Sequence, residues 1–383
     1  MKKTKKRRLK ASAVVIRVTV CVLTALFLVA AFIFSGVAVI NYGPSKSARD
    51  LFVISMLETS AAKFLATWYF SPEEIDSIVE ENAVVADEGT SDPNMIRIKP
   101  STNDTETDPA YETLPPLIDD ETSAPSTPSV PEVTEEITYE TETDPADDKH
   151  IKDLSLKGDG LEIYDVSGPS YSGKMMVVHD PSRLFVGVCG DYTKEDVSGR
   201  TLSSMAKSYE ATAGINGGGF EDKNGLGNGG TPLGLVITKG KLVYGELEKK
   251  YEVIGFNKDN IFIVGTMTGQ QALDAGIRDA LSFSPILVMN GKASSVKGSG
   301  GGLNPRTAIG QRADGAVLLL VIDGRQPASL GATYADLIDV MLDYDAVNAA
   351  NLDGGNSSGM YYDGSLVNRG LLTRGLPTCF LVK

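Results

Sequence analysis

Four short stretches place acids, bases and amides next to glycine at the ends of apolar runs. Asn216-Gly217-Gly218-Gly219-Phe220 puts an amide and three glycines together. Glycine admits close backbone approach, and a row of its N–H groups can receive an anion. Asn304-Pro305-Arg306-Thr307 fixes an arginine at a strand entrance, where a guanidinium suits a phosphate or carboxylate. In Asp323-Gly324-Arg325 an acid and a base emerge together after the aliphatic run at 316–322. In Leu352-Asp353-Gly354-Gly355-Asn356-Ser357 a carboxylate precedes two glycines and small hydroxyls. Together these residues offer carboxylates for acid–base or nucleophilic work and arginines for a departing anion. Tight turns and an internal Asp323–Arg325 pair are the plain structural alternatives.

Other chemistries lack their residues. Two His and three Cys cannot build the usual zinc ligand sets. A Ser/His/Asp triad could draw its base only from His150 or His179, and His179 reads as a structural or surface residue. Glu221-Asp222 reads as ordinary surface acid more than as a cation site. A formal net charge of −14 without a basic stripe argues against nucleic acid. Cys189 and Cys379 both fall in expected strands, as a disulfide pair or as two free thiols.

The elements that must position these residues occupy residues 150–383. Fourteen short strands are expected, at 160–166, 174–179, 184–189, 213–216, 234–238, 241–244, 253–256, 261–264, 286–289, 307–311, 316–322, 349–352, 359–362 and 379–382. Helices are expected at 201–209, at 268–281 and at 334–346, the last opened by the capping pair Thr333 and Asp336. Many short strands in mixed sheets with a few flanking helices define an α+β class.

The rest of the chain differs in kind. Residues 1–17 are basic and free of acids; residues 18–40 run uncharged and apolar. That length spans a bilayer and exceeds the apolar region of a cleavable signal. The basic flank predicts a single-pass anchor in the cell membrane, with residues 1–17 cytoplasmic and the C-terminal domain extracellular. Residues 41–83 form a juxtamembrane helical stalk, with Leu51, Ile54, Leu57, Ala61, Phe64 and Trp68 at helical spacing. It would lie on the membrane or pair with a second copy. Residues 84–149, rich in Thr, Pro and acids, read as a disordered acidic linker.

Taken in order, the four glycine-flanked stretches resemble the phosphodiester glycosidase domain family, named for N-acetylglucosamine-1-phosphodiester alpha-N-acetylglucosaminidase. The resemblance covers about residues 160–383, and Arg374 matches the family's last arginine. This sequence has an extra Gly219 and carries Asn304 where relatives often have His. The resemblance implies hydrolysis of a sugar-1-phosphodiester at the anomeric carbon, within an extracellular or cell-wall glycopolymer. Asp353, Asp323 and Arg306 are then the expected catalytic residues. Asn216, Gly217, Gly218, Arg325, Gly354, Ser357 and Arg374 are the expected substrate contacts. No cofactor is required, Ca²⁺ remains compatible, and no metal ligand is assigned. A non-catalytic glycopolymer-binding domain and a P–O-cleaving phosphodiesterase are the alternatives.

Overall fold

The computed structural model describes residues 11–59, 62–98, 151–194, 196–222, 227–370 and 374–383. It forms two compact units, one of residues 1–84 with 296–303, the other of residues 85–295 with 304–383. Most of the expected acidic linker, and Ala61 of the stalk, lie outside the described residues.

The first unit is helical. Helix α1 covers Ala11–Tyr42 and includes the apolar stretch Val15–Tyr42. Helix α2, Lys46–Leu57, starts at the Ser45 cap. Helix α3 is the short Phe64–Thr67, and α4, Pro72–Glu81, opens with a Ser71/Glu74 capping box. The stalk is therefore broken between α2 and α3, where one continuous periodicity was expected. The break lets Val53, Ile54, Ala66 and Ile78 meet in a small core. The glycine-rich loop 296–303 belongs to this unit. Asn82 Oδ1 accepts from the Ser299 backbone N–H (2.8 Å) and hydroxyl (3.1 Å), and Ser55 Oγ accepts from Leu303 N–H (2.8 Å).

The second unit is α+β. An eight-stranded sheet runs, edge to edge, through Lys292–Ala293, Ile286–Met289, Ala346–Leu352, Arg306–Arg312, Val317–Ile322, Ser172–Val178, Leu161–Ser167 and Ile151–Gly158. A five-stranded sheet contains Phe262–Thr268, Lys250–Asn257, Ile277–Ser282, Val236–Thr238 and Lys241–Tyr244. A second contains Ser365–Leu366, Met360–Tyr362, Ala213–Asn216, Thr378–Val382 and Leu184–Val188. The pairings in these sheets are antiparallel, narrower than the mixed sheets expected. All fourteen expected strands correspond to observed ones. Phe256, Phe262, Phe380, Ile215, Leu319 and Leu352 share one buried core drawn from the three sheets.

Two local readings change. The expected helix over 268–281 is helix only at Gly269–Asp274, and Ile277–Ser282 is a strand. Gly276 separates them at φ +69°, a left-handed conformation that suits glycine and stops a helix. The segment beginning at Val85 joins the folded unit well past the expected start of the linker. Ser91 N–H donates to Val264 O (2.8 Å), and Arg97 N–H donates to Ala313 O (2.8 Å). Cys189 and Cys379 are buried free thiols. His179 is half exposed beside Glu162, away from the motifs.

Candidate active site

Topology gathers three of the motifs. Strand Arg306–Arg312 lies between Val317–Ile322 and Ala346–Leu352, antiparallel to both. Its first residues therefore sit beside the last residues of its neighbours, with Arg306 opposite Ile322 and Thr307 opposite Leu352. Asn304-Pro305, Asp323-Gly324-Arg325 and Asp353–Ser357 converge at that end. The backbones are close enough that a Cβ on Gly324 would lie 2.5 Å from Pro305 N, and one on Gly354 would lie 2.8 Å from Pro305 O.

Asn216 stitches the fourth motif to them. Its Oδ1 accepts from the Thr307 hydroxyl (2.8 Å) and the Gly359 N–H (3.1 Å), and its Nδ2 donates to Asp353 O (2.6 Å). The residue is fully buried. It is a strut, not the sugar contact expected from its type. The glycine N–H nest is also absent: Gly217 N–H donates to Thr378 O (3.0 Å) and Gly218 N–H to Thr378 Oγ1 (3.0 Å). Both donors are spent inside the fold.

A cavity of about 420 Å³ opens at the converged ends, lined by Asp323, Arg325, Asn356, Ser358, Asn368 and Arg369 among others. Asp323 is almost wholly buried. Its Oδ1 accepts from Asn368 Nδ2 (3.1 Å), and both its oxygens accept from Arg369 N–H (3.0 and 3.2 Å). Three hydrogen bonds shared between its two oxygens hold this side chain in one orientation. Arg325 has φ +57°, uncommon for a residue with a side chain. Its guanidinium donates to Asn356 Oδ1 and Asn304 Oδ1, both at 3.0 Å. Ser358 Oγ is buried in the same lining and makes no hydrogen bond. A buried, unsatisfied hydroxyl is costly, and a ligand hydroxyl in the cavity would satisfy it.

Asp353 does not line this cavity. Its carboxyl is pushed up to about 6, chiefly by burial, against the Ser357 hydroxyl, the Gly354 N–H and Arg374, which favour ionisation; Asp222 adds to the rise. Arg374 forms an ion pair with Asp222 and stacks over the Phe220 ring, 4.5 Å from its centroid. Arg306 is turned to another task. Its Nε donates to Ala332 O (3.1 Å), and its guanidinium lies 4.0 Å from the Tyr334 ring centroid, at the start of the helix Tyr334–Asp343. It supports the site's framework and is absent from the cavity lining.

The expected residues thus divide. Asp323 and Arg325 line the cavity; Asp353, Ser357 and Arg374 form a second cluster; Asn216, Gly217, Gly218 and Arg306 hold the frame. Gly354 joins the two groups, with its N–H toward Asp353 and its Cα against Pro305. Asn368 and Arg369 carry no sequence signal, Asn304, Asn356 and Ser358 enter only as parts of their motifs, and Asp222 reads as a surface acid. Asparagine in a glycine loop signals a turn, and the turn reading hides a ligand contact. Among the described residues, no group of three His, Cys, Asp or Glu is disposed to hold a metal ion.

The second unit is thus an antiparallel α+β fold with acids, amides and arginines gathered at a polar cavity. Residues 209–383 match the family model "Phosphodiester glycosidase". The chain is 32% identical over 183 residues to the SPbeta prophage-derived protein YomE of Bacillus subtilis, covering 44% of this chain and 27% of that protein. It is 25% identical over 186 residues to bovine N-acetylglucosamine-1-phosphodiester alpha-N-acetylglucosaminidase, covering 44% of this chain and 34% of the enzyme. Each match thus spans about a third or less of the relative's length. The solved zebrafish N-acetylglucosamine-1-phosphodiester alpha-N-acetylglucosaminidase catalytic domain, auto-inhibited by its pro-peptide, aligns at 21% identity. That alignment covers 61% of this chain and 86% of that one, with a TM-score of 0.49.

Proposed function

We propose that this chain is a membrane-anchored hydrolase that cleaves the glycosidic C–O bond of sugar-1-phosphodiesters, with its C-terminal domain outside the cell among glycopolymers. The observation that carries this reading is a polar cavity lined by Asp323, Arg325 and Arg369, with Asp353, its carboxyl raised to about 6, heading the loop that contributes Gly355, Asn356 and Ser358 to the lining. The amides Asn356 and Asn368 and the Ser358 hydroxyl suit sugar hydroxyls. Arg325 and Arg369 suit a phosphate.

In the proposed reaction, water adds to C1 and the phosphate monoester leaves with the bonding electrons. Positive charge develops on the sugar ring as the bond breaks. Asp323, fixed by its three hydrogen bonds, stabilises that charge. Arg325 and Arg369 stabilise the departing phosphate. A phosphate monoester is a good leaving group, so the site needs no strong acid. Asp353, with its carboxyl near 6, is ionised above that pH and accepts the proton from water. No cofactor is required by this scheme; Ca²⁺ dependence is tested by chelation.

The test uses the full chain in detergent or nanodiscs. UDP-N-acetylglucosamine and a panel of sugar-1-phosphodiesters are offered in heavy-oxygen water, with and without a chelator. Release of sugar with label on its C1 hydroxyl supports the proposal. Label on phosphate would replace it with P–O cleavage. Substrate binding without turnover would make the domain a glycopolymer-binding module.

A further inference from the structure

The chain has one tryptophan, Trp68, and it lies in an unusual place for a water-exposed ring. Trp68 follows α3 and is 67% exposed; Phe64, one helical turn earlier, is 42% exposed. Their rings are 4.7 Å apart and form one apolar face. That face continues onto α1. The Trp68 and Tyr69 rings lie 6.5 Å and 5.7 Å from that of Phe34, the Tyr69 hydroxyl donates to Phe34 O (3.4 Å), and Tyr42 packs on Tyr69 and Phe70.

The length of α1 sets the depth of this cluster. At about 1.5 Å per residue, a hydrocarbon core of about 30 Å takes roughly 20 residues. Counted from Val18, just past Arg17, the core ends near residue 37. Phe34 therefore lies in the last turn inside the outer boundary, and Tyr42 lies above it. Rings fastened to Phe34 and Tyr42 fall at the headgroup level, where Trp and Tyr concentrate in membrane proteins. In water, contiguous exposed rings of this kind are a liability.

We propose that the segment carrying Phe64, Trp68 and Tyr69 is a lipid seat, inserted among the headgroups of the bilayer that α1 spans. The proposal rests on α1 being a retained span. It adds a second membrane contact and fixes the rotation of the helical unit at the surface, which a single span would leave free. The occupant is lipid because the exposed face is continuous with the lipid-facing side of α1.

The sole tryptophan makes the test direct. The full chain is placed in phosphatidylcholine/phosphatidylglycerol nanodiscs, and Trp68 emission is recorded. The expected result is a blue-shifted emission that resists acrylamide. It should lose most of its intensity when the lipids carry bromine near the headgroup end of the acyl chain, and less when bromine is at the chain end. Water-like emission quenched by acrylamide would overturn the proposal. So would blue-shifted emission that brominated lipid leaves unchanged, because a protein surface such as a second copy would then cover the ring. Intact mass of the same sample reports whether residues 1–42 are retained, which separates failure of the lipid seat from failure of the anchor reading.

Discussion

Asp323 and Asp353 follow the two strands that flank Arg306–Arg312 in one sheet, and their surroundings treat them oppositely. Asp323 is surrounded by donors: two N–H groups from consecutive residues, Asn368 and Arg369, point at it. Asp353, half-buried as a residue, has its carboxyl desolvated beside a like charge, Asp222, and it rises to about 6 despite the Ser357 hydroxyl, the Gly354 N–H and Arg374. The same side chain is thus locked by donors in one place and desolvated beside a like charge in the other. In the proposed reaction the first stabilises charge and the second carries a proton.

The strongest challenge to that division is Asp353→Asn. It should lower kcat by about 10²–10⁴-fold, the usual worth of a general acid or base, while circular dichroism stays near that of the parent and the melt at neutral pH is no lower. Full activity would place catalysis wholly within the Asp323 cavity.

The pH dependence sharpens the comparison next. kcat/KM should fall on the acidic side with an apparent pKa near 6, the value to which Asp353 is raised. Stability should move the other way. The folded protein holds this proton more tightly than the unfolded chain, so stability is greatest below the ordinary aspartate value. It falls as pH rises from 3.8 to about 6. The loss is at most ~3 kcal/mol at 1.36 kcal/mol per unit. Urea midpoints across that window should show the slope, and Asp353→Asn should remove it.

Asp323→Asn should instead be felt in the fold as well as in turnover. The substituted amide presents a donor to donors already there, leaving buried N–H groups unpaired at about 1–3 kcal/mol. Thermal melts read this directly; an unchanged melt would mean that the three hydrogen bonds to Asp323 contribute little.

Ser358→Ala is the milder probe of the cavity. Its hydroxyl is buried and unpartnered, so its removal should leave stability level or slightly raised. If the hydroxyl contacts sugar, KM rises by roughly fivefold, worth about 1 kcal/mol, with kcat held. An unchanged KM would remove Ser358 from the contact set. The smallest effect expected is that of Asp222→Asn, which withdraws the like charge and frees Arg374. Both changes favour ionised Asp353, so the acidic limb of the rate profile should shift to lower pH with kcat little altered. A limb that stays in place would leave burial as the cause of the raised value.

The strands were legible because each is a short aliphatic run closed by Gly, Asn or Asp. Ile277–Ser282 escaped because it follows a well-capped helix, although Gly276 carried the stop signal. Asp323, Arg325, Asp353 and the convergence of their motifs were visible from residue type and position. Their division was not, because it depends on which hydrogen bonds are already taken. Gly217 and Gly218 look like an anion nest until Thr378, 160 residues away along the chain from Gly218, takes both donors. Arg306 looks like a phosphate ligand until Ala332 and Tyr334 take its guanidinium. Partners so distant in sequence leave no local trace.

Under the membrane-anchored reading, the loop at 296–303 bears on how the C-terminal half could be released. It is an excursion of the C-terminal half into the helical unit, held there by Asn82 and Ser55. One proteolytic cut between residues 99 and 150 would therefore sever the backbone without freeing the product. The shed half would still be gripped by its own loop, and liberation would need a second cut or loss of that grip. The N-terminal region is accordingly not a detachable leash, and an active soluble form is best sought by trimming α1 while keeping α2 to α4.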